Sequence, residues 1–116
     1  MSEKLESVDE ILFAYVYGGF VERDFSRDLD IAVWLKNPDK AFYYVVDFSA
    51  KLEIEMGFPI DLQVFNKASL PFQFYVSTWG NLLFSRDESL TVMMVDDVVR
   101  KYGDLKFLVK MNSLGE

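Results

Sequence analysis

Two rhythms of apolar residues run along this chain, and each change of rhythm marks an element. Residues 2–10 are polar and charged, with Leu5 and Val8 as their only apolar contacts, which predicts a short, frayed helix. Ile11 to Tyr17 is a continuous apolar run of aromatic and β-branched residues stopped by Gly18-Gly19, the pattern of a buried strand. A polar turn follows, and Ile31 to Leu35 predicts a second strand. Asn37-Pro38-Asp39 then opens a helix: Asn37 can cap it, Pro38 suits the first turn where no N–H is needed, and Asp39 favours the positive end. The helix should run from Pro38 to Met56, with Ala41, Tyr44, Val45, Phe48, Leu52 and Met56 as its core-facing stripe. Gly57 supplies a left-handed stop, and Pro59 prevents resumption.

Ile60 to Phe65 switches to period two, Ile60, Leu62 and Val64 against Asp61, Gln63 and Phe65, which predicts a strand. Strand, long helix and strand make a crossover unit, so the strands of Ile31 and Ile60 should be parallel. Ser69-Leu70-Pro71 opens a second helix ending near Trp79-Gly80, and Asn81 to Ser85 is a short extended segment. A last helix is predicted from Glu88 to Lys110, with Val92, Val95, Val98 or Val99, Tyr102, Leu105 and Val109 on one face and a loose tail after Met111. The elements add up to an α/β (α+β) chain with a small mixed sheet flanked by helices. Residues 1–116 read as one domain, without repeat or linker.

Composition narrows the possible chemistry. Apolar residues make up 51% and aromatics 16%, including 11 Phe and 6 Tyr, more than a small monomer readily hides. An apolar partner surface is therefore expected, in a hetero-oligomer or a homodimer. The net charge of -7 argues against a nucleic-acid binder and suits a basic protein partner. No signal peptide or membrane-length apolar run is visible, so a cytoplasmic location is expected. With neither Cys nor His in the chain, disulfides, thiol nucleophiles, imidazole bases and Cys/His metal sites are excluded.

What remains is carboxylate chemistry. Asp28 and Asp30 stand at the start of the second strand, two residues apart, so in extended backbone they point the same way. Taken alone, such a pair also fits a solvated turn. Asp61 changes the balance, because Asp is depleted within strands and this one lies between Ile60 and Leu62 on the neighbouring strand. Three converging acids suit a hard cation such as Mg²⁺, and a pair of such ions can clamp the attacking and leaving oxygens of a phosphoryl displacement. Gly18-Gly19 either forms an ordinary tight turn or brings backbone N–H groups close to a phosphate. Trp34, Trp79 and the aromatics of 42–48 read as core or interface, and Lys51, Lys67 and Arg86 as solvated.

The run from Gly18-Gly19 to Asp28-Leu29-Asp30, with Asp61 on a later strand, resembles the signature of the DNA polymerase beta-type nucleotidyltransferase superfamily. More narrowly, the chain looks like the minimal nucleotidyltransferases encoded beside HEPN-domain proteins. Ile60 to Ser89 matches their pattern of an Asp-bearing strand, an Asn turn, a short helix ending in Gly, and a leucine-rich strand closing on Arg-Asp. The resemblance implies a nucleotidyltransferase fold. It also implies Gly18 and Gly19 as the phosphate-binding turn, Asp28 and Asp30 as the metal pair, and Asp61 as a third metal-binding carboxylate that helps deprotonate the acceptor hydroxyl. Gly19 stands where the family usually has Ser, and only eight residues separate it from Asp28. Arg27 occupies a position often held by Ser and is a candidate nucleotide contact.

The activity implied by this resemblance is Mg²⁺-dependent transfer of AMP from ATP, with two metal ions, to a tyrosine of a cognate HEPN toxin. That makes the chain an antitoxin acting by AMPylation. The alternative is a binding module that neutralises a HEPN partner by contact alone.

Overall fold

The computed structural model describes residues 2–18 and 29–114. Four strands, β1 Ile11–Tyr17, β2 Leu29–Leu35, β3 Ile60–Val64 and β4 Asn81–Ser85, form one sheet in the order β3-β2-β1-β4. β1 runs antiparallel to β2 and to β4, while β2 and β3 are parallel, as the intervening helix requires. The second strand starts earlier than its apolar run suggested. Leu29 is buried and pairs with Ile60, so Asp30 lies inside the strand and not before it.

Alternation along the strands builds two cores. Leu29, Ile31, Val33 and Leu35 point to one side, where Ile60, Leu62, Val64, Tyr44, Leu52 and Leu5 complete a cluster. Ala32 points to the other, among Phe13, Tyr15, Tyr17, Phe65, Val76 and Val98. That second core is largely aromatic: Trp34 stacks on Phe13 at 5.6 Å between ring centres, and Phe65 meets Phe13 edge-on at 5.4 Å. Phe65 closes β3 from a short 3₁₀ turn, Phe65–Lys67, and is fully buried. In the same turn, Asn66 caps the end of β2, accepting from the Leu35 N–H and donating to the Leu35 carbonyl at 2.8 Å. The N-terminal helix α1, Ser2–Glu6, was expected to fray, yet Leu5 is 0% exposed and belongs to the first core.

Helix α2 covers the first core over residues 38–56 and starts and stops where its caps dictate. The Asn37 side chain accepts from the Asp39 N–H at 3.0 Å, and Gly57 ends the helix at φ +81°. Its middle departs from the expected stripe, because Tyr44–Phe48 is a π-helical turn. The Ser49 N–H bonds the Tyr44 carbonyl, so the buried face steps from Tyr44 to Ser49 to Leu52, and Val45 turns out to 38% exposure.

Helices α3, Leu70–Trp79, and α4, Glu88–Leu114, cover the second core. The Ser69 hydroxyl caps α3 at the Phe72 N–H, and the Asp87 carboxylate caps α4 at the Leu90 N–H. The stripe expected on α4 is corrected: Val92, Leu105 and Val109 are 67%, 42% and 57% exposed, while Thr91 and Val98 are the buried positions. Tyr102 stacks on Phe74 at 4.2 Å, and beyond it residues 103–113 are all exposed. The helix simply outruns the sheet, giving a molecule 53 × 30 × 23 Å across. It also continues through the residues expected to form a loose tail.

Arg86 is exposed to solvent, as expected, but it is also anchored. Its guanidinium donates to the carbonyls of Ile11, Glu6 and Val8, and its own N–H bonds the Leu12 carbonyl at 2.7 Å. It ties the end of β4 to the turn joining α1 and β1.

Candidate active site

Three residues from three neighbouring strands share one face at one end of the sheet. Tyr17, the last residue of β1, pairs with Asp30 of β2, and Asp30 pairs with Asp61 of β3. Cross-strand partners present their side chains to the same face, so the two carboxylates stand side by side at the strand spacing of about 4.8 Å. Burial of Asp30 is intermediate and Asp61 is exposed, as expected of a site open to solvent from the β3 edge. Gln63, two residues along β3 on the same face, donates from Nε2 to Oδ1 of Asp61 at 3.1 Å and holds that carboxylate.

Gly18 follows directly from Tyr17 and adopts φ +78°, a left-handed conformation that side chains resist. A Cβ placed on it would collide with Oδ2 of Asp30. The glycine is therefore needed twice, once for the backbone turn and once because the chain passes directly against a site carboxylate. Its neighbour Gly19 and the predicted residues Arg27 and Asp28 lie outside the described residues. Of the sequence-derived set, the structure thus brings together Gly18, Asp30 and Asp61.

Tyr17 was missed by sequence reasoning. Its hydroxyl is pushed up well above the ordinary value of 10.0, first by burial and then by the negative fields of Asp30, Asp61 and Tyr75. Burial comes first among the causes, and the charges of the two acids act in the same direction. Its ring is braced edge-on by Phe72 at 5.4 Å and Tyr75 at 6.4 Å. Gln63 was legible as the same-face neighbour of Asp61, but Tyr17 became legible only through the strand register.

The donor set suits a hard divalent cation: carboxylate oxygens from adjacent strands on a rigid sheet, with Gly18 leaving space against one of them. Asp30 and Asp61 are the described residues that would hold it. No group of three acidic, His or Cys residues close enough to bind a metal is found among the described residues, and Asp28 is not one of these. No described helix is long and apolar enough to cross a membrane.

Residues 1–89 match the family described as "Polymerase beta, Nucleotidyltransferase". No curated protein matches the chain. Several solved structures match along nearly their whole length. A toxin–antitoxin structure with AMP-PNP has a TM-score of 0.73 at 18% identity, covering 98% of this chain and 95% of that one. A toxin–antitoxin MntA complex mutated from Asp to Glu at two positions spaced i, i+2 has a TM-score of 0.74 at 14% identity, covering 100% and 99%. A tri-AMPylated Shewanella oneidensis HEPN toxin in complex with MNT antitoxin gives 0.68 at 16% identity, covering 100% of both chains.

Proposed function

The chain belongs to the polymerase beta nucleotidyltransferase family, and from that membership we propose that it transfers AMP from ATP to a tyrosine hydroxyl of a HEPN-domain toxin, silencing it. The observation that carries the reading is the register match of Asp30 with Asp61, with the Gly18 backbone against Asp30. Similar folds in toxin–antitoxin complexes, one with AMP-PNP and one with a tri-AMPylated HEPN toxin, support the choice of nucleotide and acceptor.

In this proposal Asp28, Asp30 and Asp61 would hold Mg²⁺, which when bound would supply positive charge against the phosphates. Gly18 and Gly19 offer backbone N–H groups to the triphosphate, and Arg27 adds a cationic contact. The acceptor oxygen bonds the α-phosphorus, the bond from that phosphorus to the bridging oxygen breaks, and pyrophosphate leaves. Asp61, exposed beside the site, takes the hydroxyl proton, with Gln63 fixing the carboxylate's orientation. Tyr17 keeps its own proton at neutral pH, because burial and the two carboxylates oppose a third negative charge there.

The test is incubation with Mg²⁺ and α-labelled ATP, with and without the HEPN-domain partner. Label should pass to the partner and fall at least about a hundredfold in Asp30→Asn and in Asp61→Asn, the size typical of removing one electrostatic stabiliser of a transition state. A tight complex without label, indifferent to both substitutions, would mean that the chain acts by binding alone.

A further inference from the structure

One flank of α4 carries a second stripe with exposed apolar residues, and its first part, Val92 to Val99, borders a groove over Tyr15 and Leu82 of the sheet. Val92, Asp96, Val99, Gly103, Phe107 and Lys110 recur at spacings of four and three, so they share one face. At 1.5 Å per residue the stripe is about 27 Å long. Val92 is 67%, Val99 43% and Phe107 63% exposed. Gly103 lies at its middle, and a Cβ there would meet nothing within 4 Å. Among the described residues nothing packs against that position, although glycine in an exposed helix costs about 1 kcal/mol relative to alanine. A mid-helix glycine is well used where another helix crosses closely.

We propose that this face pairs with the same face of a second copy, as two antiparallel α4 helices crossing at Gly103. A two-fold axis that sets Gly103 against Gly103 also sets Val99 against Phe107 and Asp96 against Lys110, each pair twice. On one flank it sets Arg100 beside Asp104 of the other copy and Met93 beside Met111, both methionines being more than half exposed. Charge complementarity selects this occupant. Glu88, Asp96 and Asp97 make the first part of α4 acidic, while Arg100, Lys101, Lys106 and Lys110 make the rest basic, so the antiparallel arrangement brings opposite signs together. Asp96 already holds Arg100 of its own chain at 2.9 Å, and its carboxylate can accept from a second cation. A single helix pair of this length is a small interface, so dissociation on the order of micromolar is expected.

Sedimentation over a wide concentration range should show a reversible monomer–dimer equilibrium. Asp96→Lys or Lys110→Asp alone should weaken it at least tenfold, and the two changes in one chain should restore it. Because the chain contains no Cys, Val99→Cys mixed with Phe107→Cys should cross-link under mild oxidation far faster than either alone. These side chains are exposed, and circular dichroism should confirm that each variant folds as the parent does. A monomer at every concentration would overturn the pairing, as would a dimer indifferent to the charge reversals or cross-linking without register preference. So would a monomer whose Val99→Cys thiol is shielded only when a HEPN-domain protein is added, since the face would then belong to that partner.

Discussion

Substituting Gly18 tests the site through its backbone. Gly18→Ala forces alanine to φ +78° and drives its methyl into Oδ2 of Asp30. The first effect costs about 1 kcal/mol, the penalty for an L-residue in the left-handed region. The second rotates the Asp30 carboxyl away from its preferred position, at about another 1 kcal/mol for an off-rotamer side chain. Gly57 separates the two contributions, because it has nearly the same φ, +81°, but a Cβ there meets nothing within 4 Å. Gly57→Ala should therefore cost about 1 kcal/mol and Gly18→Ala about 2, or roughly 4 and 8 °C in melting temperature for a domain of this size. In an Asp30→Ala background the clash is gone, so the cost of Gly18→Ala should fall to that of Gly57→Ala, a coupling of about 1 kcal/mol. Urea unfolding of the four Gly18/Asp30 combinations and of Gly57→Ala measures this directly. Equal costs for the two glycines in the parent chain, with no coupling to Asp30, would refute the claim that the Gly18 turn is built against the carboxylate.

Three further outcomes are expected. Arg86→Met removes three guanidinium bonds to the carbonyls of Glu6, Val8 and Ile11 and should destabilise by about 2 kcal/mol in denaturant unfolding, after discounting for partial exposure; a change near zero would mean that the clamp is ornamental. Leu5→Ala should cost about 3 kcal/mol, since Leu5 is fully buried in the first core, and a loss of only a few tenths would restore the picture of a frayed terminus. Tyr17 holds its proton more tightly folded than unfolded, so its contribution to stability is complete below the ordinary value of 10.0 and declines as pH rises past it. Tyr15 and Tyr44, also raised chiefly by burial, act in the same direction. Tyr17→Phe should flatten that alkaline decline, and Asp61→Asn should let the late-titrating phenol appear at lower pH in an ultraviolet titration. An unchanged titration in both variants would remove Tyr17 from the field of the acids.

The sequence by itself determined whatever depends on local period and on the chemistry of caps. β1 and β3, the start of α2 at Asn37 and its stop at Gly57, and the Ser69 cap of α3 all follow from side chains interacting with backbone a few residues away. The absence of Cys and His left carboxylates as the remaining chemistry, and an Asp within an apolar strand marked Asp61. Tertiary structure decided everything that depends on what lies opposite. Periodicity shows that α4 has an apolar face but not where the sheet beneath it ends, so Leu105 and Val109 read as core and stand in solvent. A π turn shifts the face of α2 without any change in composition, and Arg86 looks like any surface arginine until the carbonyls of α1 and β1 arrive around it. The site follows the same division. Asp30 and Asp61 were legible as unusual residues, but their pairing across β2 and β3, the Tyr17 hydroxyl beneath their joint field and the pressure of Gly18 on Asp30 exist only once the register is set. Local chemistry names the groups, and only the sheet brings strands distant in sequence into one site.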